Sequence, residues 1–243
     1  MTTVLMYRTR LWLKQGNTPL ARNLFRLLKS CRQLQLPRIP LLFSLFYRIY
    51  LLVTNSFSSM IRVLWWTPLF RSQVIGTSRA LYLYGGLPLL SDGLQIHVGD
   101  RCRISGHTTF SARAHALTQP LLFIGDNVDV GWQTTIAVGQ RVMIHDNVRM
   151  AGGCFLAGYP GHPLDAKRRA LGEPEDESQV GDIVLEEDVW LATGVKVMAG
   201  VTIGRGSIVA AGSVVTTDLP AGVLAGGVPA RVIRHLEGTN HEA

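Results

Sequence analysis

Histidine and cysteine are two residue types in this chain that could act as base, nucleophile or metal ligand. Cys31, Cys102 and Cys154 are scattered, which argues against a disulfide framework or a cysteine-based zinc site and favours reduced thiols in a cytoplasmic setting. Cys154 fits interior packing better than a nucleophilic role. His162 lies in a glycine- and proline-rich segment with Asp165 three residues later. Imidazole can accept a proton near neutral pH, but an isolated loop histidine is most often only a surface residue.

Aliphatic residues recur at every sixth position from residue 98 onward. The longest unbroken run is Leu185, Leu191, Val197, Ile203, Val209 and Val215. One hexad can form a short strand and a corner, so three hexads predict a triangular coil with its aliphatic residues pointing inward. We count five coils, at 98–115, 124–141, 144–161, 185–202 and 203–220.

This repeat divides the chain into two predicted domains. Residues 92–243 form the repeat domain, and residues 1–91 form a helical appendage. The hexad register breaks between Gly158 and Gly181, and the excursion at 158–184 contains His162. A coil stack that tolerates so long a loop is expected to use it, so 158–184 is the predicted active-site loop.

Three segments, in this order, resemble the hexapeptide-repeat acyltransferases, and within them the maltose and galactoside O-acetyltransferase group. They are Gly161-His162-Pro163-Leu164-Asp165, Asp188-Val189-Trp190-Leu191 and Gly226-Gly227-Val228-Pro229-Ala230-Arg231-Val232-Ile233. The resemblance covers about residues 95–236 and implies a left-handed parallel β-helix. We therefore expect a mainly β fold with an N-terminal α-helical appendage. The resemblance also implies acetyl transfer from acetyl-CoA to a hydroxyl, usually of a sugar, by a homotrimer with sites between neighbouring subunits.

The resemblance gives His162 the role of general base. A sugar hydroxyl is a weak nucleophile near neutral pH, and a base can take its proton as it attacks the thioester carbonyl, with no acyl-enzyme. A backbone N–H at a coil corner would stabilise the oxyanion. Asp165 is predicted to orient the imidazole, with capping of the turn that follows, 166–170, as the alternative.

Further residues match the family's acceptor and cofactor positions. By resemblance, Trp190 lines the cleft for cofactor and acceptor, with a packed corner aromatic as the alternative. Trp132 and Gln133 stand near the acceptor, where the family commonly has an asparagine. The residues predicted to contact the CoA arm or its phosphates are Ala211, Gly212, Ser213, Arg205 and Arg231. Arg231 matches the position where the family has a cation near the CoA phosphates, with a solvated surface arginine as the alternative, and its planar guanidinium suits phosphate. Because Thr217 replaces a common family lysine, the phosphates are expected to rely on Arg231 or Arg205.

No metal is expected. The remaining candidate ligands are scattered over different corners, and they are His97, His107, His115 and His145. Such scatter, together with the closer resemblance to acetyltransferases, argues against the zinc site of the carbonic anhydrases that share this coil.

The positive charge is concentrated in the N-terminal third. Residues 1–91 contain 12 Lys and Arg and no Asp or Glu, whereas 92–243 contain 12 Lys and Arg against 17 acids. Thr18 and Pro19 predict the start of a basic amphipathic helix, and a second apolar stretch follows Pro40. Its uncharged windows, 39–47 and 49–61, are shorter than the roughly 20 residues that a spanning helix needs.

We therefore predict that residues 1 to about 75 bind an anionic membrane surface, with Trp65 and Trp66 beside Arg71 at the headgroup boundary. A helical cap packed on the repeat domain is the alternative. Nucleic acid is not an expected partner, because the cations alternate with aliphatic rather than polar residues.

The leading hypothesis is a cytoplasmic O-acetyltransferase, peripheral to the inner face of the plasma membrane, that modifies a cell-envelope polysaccharide or its lipid-linked precursor. A soluble acetyltransferase of a small sugar, antibiotic or sugar nucleotide is the first alternative. A non-catalytic β-helix scaffold is the second.

Overall fold

The computed structural model describes residues 2–236, and the chain divides into two compact units, Met1–Thr54 and Asn55–Ala243. Helices occupy the N-terminal region. They are α1 (Thr2–Gln15), α2 (Pro19–Gln33), α3 (Pro40–Ile61), a π-helical turn (Arg62–Trp66) and α4 (Thr67–Arg71). The predicted start of α2 is confirmed: the Thr18 side chain accepts a hydrogen bond from the amide of Ala21 at 3.2 Å, and Pro19 takes a first-turn position that needs no donor.

The second apolar stretch is longer as a helix than the sequence indicated. Pro40–Arg71 forms one continuous helix of 32 residues, which is the one helix in 2–236 that is long and apolar enough to cross a membrane by length and composition. The prediction that this stretch is too short counted only uncharged windows. In a continuous helix the mean hydropathy of a window stays high even though the window includes Arg48 and several hydroxyl residues. The helix is therefore long enough to cross a membrane.

Short parallel strands build the second unit as a three-sided prism. The first face contains β1 (Tyr82–Tyr84), β4 (Arg103–Ser105), β7 (Asp129–Val130), β10 (Arg149–Met150), β13 (Trp190–Leu191), β16 (Ile208–Val209), β18 (Val223–Gly227) and β19 (Ala230–His235). The second face contains β2 (Leu89–Leu90), β5 (Thr109–Ala112), β8 (Thr135–Val138), β11 (Phe155–Ala157), β14 (Lys196–Met198) and β17 (Val214–Val215). The third face contains β3 (Gln95–Val98), β6 (Leu121–Ile124), β9 (Arg141–Ile144), β12 (Ile183–Leu185) and β15 (Thr202–Ile203).

Each strand pairs with the strand one coil away on the same face, in parallel, except that β19 returns antiparallel to β18. The residues of the predicted aliphatic series are fully buried inside the prism: Leu185, Leu191, Val197, Ile203, Val209 and Val215. The six-residue period therefore corresponds to the length of one side of the prism, because each hexad contributes one inward side chain to one face.

The coils begin earlier than predicted. Strand β1 pairs with β4 and β2 pairs with β5, so the boundary of the stack lies before Tyr82 and not at residue 91. Within residues 2–236 the stack has six coils, one more than predicted. The first coil escaped detection because its inward residues, Leu83, Leu90 and Val98, are not spaced by six. Extra corner residues around Gly85 and Gly93 lengthen this coil.

The apolar interior gives a direct test of this arrangement. Leu156 is fully buried in β11, immediately before the long loop, whereas Leu164 within the loop is 79% exposed. We expect Leu156→Ala to lower the free energy of unfolding by about 2–5 kcal/mol, through lost burial and a cavity. Leu164→Ala should change it by less than about 0.5 kcal/mol. Urea denaturation followed by circular dichroism measures both, and equal effects would contradict the packing described.

Candidate active site

The loop that carries His162 leaves the stack at the corner between the second and third faces. It runs from the end of β11 to the start of β12, residues 158–182, and contains the short helix α5 (Ala166–Ala170). Its ends are tied together, because the amide of Gly158 donates to the carbonyl of Ala137 at 2.8 Å and the amide of Gly181 donates to the carbonyl of Gly158 at 3.1 Å. The coil geometry therefore resumes after the loop without distortion.

His162 is exposed at a turn that the loop itself fixes. Gly161 before it has a left-handed backbone, with φ 84°. After it, the Arg169 guanidinium donates from Nη1 to the carbonyls of Pro163 and Leu164, both at 3.0 Å. No hydrogen bond engages the His162 imidazole among residues 2–236, so its ring nitrogens are open to a ligand.

Asp165 caps a helix rather than orienting the histidine. Its Oδ1 accepts a hydrogen bond from the amide of Arg168 at 2.8 Å, at the first turn of α5. No contact with His162 is found in the described part of the loop. The predicted orienting role is therefore replaced by the alternative, because the free amides of a helix start attract a carboxylate placed there.

Trp132 and Gln133 lie at the corner between the first and second faces, between β7 and β8. Both side chains are exposed, Trp132 by 57%. The indole of Trp132 passes over Gly152, where any Cβ would collide with it. Gln133 has a left-handed backbone, with φ 56°, and its amide donates to the carbonyl of His107 at 3.1 Å. The two predicted acceptor residues therefore stand side by side.

A column of three glycines follows the same corner, and only one of them, Gly212, was predicted from the sequence as a cofactor residue. Gly153, Gly194 and Gly212 stack on one another, each with φ between 70° and 75°. The corner thus has a side-chain-free edge along which an extended ligand could lie. The signal was present, because Gly194 and Gly212 are separated by 18 residues, which is one full coil.

The predicted cofactor residues beside this column differ in what they offer. Ala211 and Gly212 are exposed, whereas Ser213 is 1% exposed. The Ser213 hydroxyl donates to the carbonyl of Ala210 at 2.7 Å and accepts from the amide of Gly227 at 3.1 Å. Its side chain therefore fastens β18 to the last coil, which leaves only the backbone of residue 213 for a cofactor.

Trp190 and Arg231 lie on the first face. Trp190 is 49% exposed on β13, so the indole is not the packed corner aromatic of the alternative prediction. Strands β16 and β18 separate β13 from β19, which carries Arg231. Three strand spacings place the two residues roughly 14 Å apart along the face. The Arg231 guanidinium donates to the carbonyl of Ala230 at 2.8 Å and meets no carboxylate among residues 2–236.

Arg205 is in a different position. It lies at the corner between the third and first faces, where its guanidinium pairs with Glu187 and its amide donates to Glu186 at 2.7 Å. Of the two arginines predicted at the cofactor phosphates, only Arg231 is thus free of a carboxylate in the described chain. The spacing of the hexads could not distinguish Arg205 from Arg231, because it does not show which of the two forms an ion pair with a carboxylate.

His162 and the acceptor residues stand on different corners of one chain. The observed contacts of the loop are with the corner between the second and third faces, whereas Trp132, Gln133 and the glycine column follow the corner between the first and second. A general base must come within hydrogen-bond distance of its substrate. No hydrogen bond in residues 2–236 joins His162 to Trp132 or Gln133.

The cysteines offer no nucleophile inside the stack. Cys102 and Cys154 are buried, and burial raises the pKa of each thiol to about 11. Cys31 on α2 is exposed. Residues 2–236 contain no group of three or more His, Cys, Asp or Glu side chains that could hold a metal ion.

Comparison with known proteins links the repeat to transferases. Residues 182–217 match the family described as bacterial transferase hexapeptide (six repeats). The galactoside O-acetyltransferase of Escherichia coli is 38% identical over 115 residues, which cover 47% of this chain and 54% of that protein. A Saccharomyces cerevisiae protein named as an inferred acetyltransferase is 38% identical over 117 residues, covering 47% of this chain and 56% of that protein. The chain thus spans about half the length of these relatives.

A solved structure supports the fold class. An N-acyltransferase from Bacillus cereus, in complex with dTDP and 3-hydroxybutyryl-CoA, superposes with a TM-score of 0.56 at 15% identity, covering 70% of this chain and 88% of that chain. At this identity the likeness concerns the fold alone. The predicted left-handed parallel β-helix with N-terminal helices is confirmed.

Proposed function

We propose, from the premise that the coiled domain belongs to the hexapeptide-repeat acetyltransferase family, that this chain transfers an acetyl group from acetyl-CoA to a sugar hydroxyl. One observation carries the proposal. The exposed His162 imidazole stands on a turn that Arg169 fixes, in the long loop of a hexapeptide-repeat stack. The half-length match to an O-acetyltransferase supports the same chemistry.

In this mechanism His162 takes the proton of the acceptor hydroxyl as its oxygen attacks the thioester carbonyl. The tetrahedral intermediate then collapses, the carbon–sulfur bond breaks, and the imidazolium returns the proton to the departing thiolate. The products are an acetyl ester and free CoA. The glycine column would receive the extended arm of acetyl-CoA, Trp190 would border it, and Arg231 would pair with a phosphate.

A homotrimer is the proposed assembly, in which a neighbouring copy of the chain completes each site. His162 belongs to a loop that leaves the stack at the corner between the second and third faces, whereas Trp132 and the glycine column follow the corner between the first and second faces. A general base must approach its substrate to hydrogen-bond distance. Placing the loop of one subunit against the glycine corner of the next satisfies this requirement.

The N-terminal helices are proposed to dock on the cytoplasmic leaflet of the plasma membrane. Residues 1–91 contain no acid, and their large apolar side chains are mostly exposed. In the continuous helix Pro40–Arg71, polar residues follow one another at intervals of three, four or seven: Ser44, Arg48, Asn55, Ser59 and Arg62. This spacing forms one stripe that contains Arg48 and Arg62, whereas the hydroxyl residues Thr54, Ser56 and Thr67 lie outside it.

The stripe favours a helix that lies in the membrane plane over one that spans it. Every window of about 20 residues in Pro40–Arg71, the length needed to cross, contains Arg48 or Arg62. An arginine at the bilayer centre costs about 2.5–3.5 kcal/mol or more. An in-plane helix keeps Arg48 at the headgroups, where a cation contributes about 1 kcal/mol on an anionic leaflet. The Arg62 guanidinium lies over the Tyr82 ring of β1, 4.6 Å from its centroid.

This location suggests an envelope saccharide, or its lipid-linked precursor, as acceptor. Release of CoA thiol should be measured with a lipid-linked oligosaccharide in anionic vesicles and with free monosaccharides. We expect kcat/KM to be at least about tenfold higher for the vesicle-bound acceptor, because binding to one surface raises the effective concentration. Equal turnover of free monosaccharides would favour the small-sugar enzyme, and no release with any acceptor would favour the scaffold.

A further inference from the structure

We propose that Arg113 is a positioning residue that locks the His162 loop onto the coil stack, an inference that rests on the proposed function of that loop. Arg113 directly follows β5, at the corner between the second and third faces, in the insertion 113–120. The insertion and the long loop leave the stack at the same corner, two coils apart.

The Arg113 side chain reaches into the long loop. Its Nε donates to Glu175 Oε1, its Nη1 donates to Glu177 Oε2 at 2.9 Å, and its Nη2 lies 3.4 Å from the carbonyl of Glu175. The side chains of Arg113 and Glu175 are 2% and 4% exposed. In residues 2–236 no other ion pair has both side chains so deeply buried.

Buried pairs of this kind add little net stability, because desolvation of both charges offsets their attraction. Their geometric demand is high, since the planar guanidinium fork fixes where its carboxylate partners must lie. The backbone of Arg113 is itself held by the coil, because its amide donates to the carbonyl of Val138 at 2.9 Å. Arg113 therefore holds Glu175 and Glu177 at a fixed position relative to the coil stack.

From these glutamates the contacts continue toward the histidine. Arg168 pairs with Glu173 and with Asp176, each at 2.7 Å, and so ties α5 to the anchored segment. The next residue, Arg169, donates to the carbonyls of Pro163 and Leu164 beside His162. Each non-covalent contact between Arg113 and the His162 turn therefore involves an arginine, bound either to carboxylates or to two backbone carbonyls. The position of the imidazole is therefore set by Arg113 through the loop, without any contact between the two residues.

The test compares variants of the full-length chain. We expect Arg113→Met to lower kcat by about ten- to a hundredfold, since small displacements of a reacting group have effects of that order. The KM for acetyl-CoA should stay within about twofold, because the residues proposed to hold the cofactor, the glycine column and Arg231, lie outside the loop. Trypsin should cleave faster at Lys167, Arg168 and Arg169, because a detached loop can unfold α5 locally and present these residues in the extended conformation that a protease binds. Arg113→Lys should recover only part of kcat, since an ammonium cannot replace the fork.

Two further variants separate loop positioning from general damage. The double variant Arg113→Met, Glu175→Met removes both buried charges and should recover part of kcat and of the protease resistance lost in either single variant. Arg141→Met is the matched control, because Arg141 pairs with Asp182 at the exposed end of the same loop at 2.6 Å. Exposed pairs contribute little, so this variant should behave like the wild type.

Unchanged kcat and cleavage in Arg113→Met would overturn the proposal, as would a double variant no better than the single variants. Should Arg113→Met fail to fold, Glu175→Gln and the double variant apply the same criteria. Cleavage is read without substrate, so it decides the loop-locking claim even where the wild type transfers no acetyl group. A wild type that is inactive while Arg113→Met shows faster loop cleavage would refute the proposed function alone.

Discussion

His162→Ala is expected to lower kcat for acetyl transfer at least about a hundredfold, the usual effect of removing a general base. The imidazole is the exposed proton acceptor of the loop, and its turn is held by contacts from Arg169 to backbone carbonyls rather than by the ring itself. The loop should therefore keep its shape in the variant. The KM for acetyl-CoA should remain within about twofold, because the residues proposed to hold the cofactor, the glycine column and Arg231, are unchanged in the variant.

The control for this experiment is His145→Ala. His145 lies at the corner between the third and first faces, beside Phe123. It should retain kcat within about twofold, because no proposed reacting group lies there. Similar losses in both variants, or an unaffected His162→Ala, would contradict the assignment of the base.

Reversing three cations of α2 should have the second large effect. The triple variant Arg22→Glu, Arg26→Glu, Lys29→Glu is expected to bind anionic vesicles at least about a hundredfold more weakly. Each juxtamembrane cation contributes about 1 kcal/mol, so loss of three attractions alone corresponds to this factor. Cys31 on the same helix is exposed, so it can carry a fluorophore that reports binding. Cys102 and Cys154 should stay unlabelled because burial raises the pKa of their thiols to about 11.

Neutral vesicles and high salt provide the comparison, since the charge contribution should disappear in both. Equal binding of wild type and variant to anionic vesicles would refute electrostatic docking. Binding that survives in neutral vesicles at high salt would instead indicate a helix inserted by its apolar surface, as the length of Pro40–Arg71 allows.

Substitution is a better test than truncation at residue 75, the end of the segment that the sequence predicts to bind the membrane. Phe70 is fully buried in the core of the coil stack, and the backbone of Ile75 bridges to His97. Removing residues 1–75 would therefore damage the stack together with the appendage. Charge reversal in α2 leaves these contacts intact.

The sequence predicted the stack well because one residue type at one interval was sufficient. Leu185 and its successors at every sixth position are buried without exception through Val215. The six-residue interval does not identify inward residues where the corners of a coil are longer. Leu83 and Leu90 occupy inward positions that the hexad interval misses, because the first coil carries extra residues.

The site was predictable only in its parts. His162, Trp132, Gln133 and Trp190 are all exposed, as ligand-contacting residues should be. Their distribution over separate corners could not be read from the sequence, because it depends on which side of the prism each loop leaves. The roles of Asp165 and Ser213 depended on local hydrogen bonds to Arg168 and Gly227. The role of Arg113 could not be predicted from the sequence either, because its partner Glu175 lies 62 residues away along the chain.

The central claim, that this coil stack passes an acetyl group from acetyl-CoA directly to a sugar hydroxyl, is tested most directly by following the acetyl carbon. The full-length protein is incubated with isotopically labelled acetyl-CoA and an envelope oligosaccharide, and the products are analysed by mass spectrometry. The account predicts the label as an O-acetyl ester on the saccharide, with one free CoA for each ester and none on the protein. Label found only in acetate, or bound to a protein side chain, would contradict it.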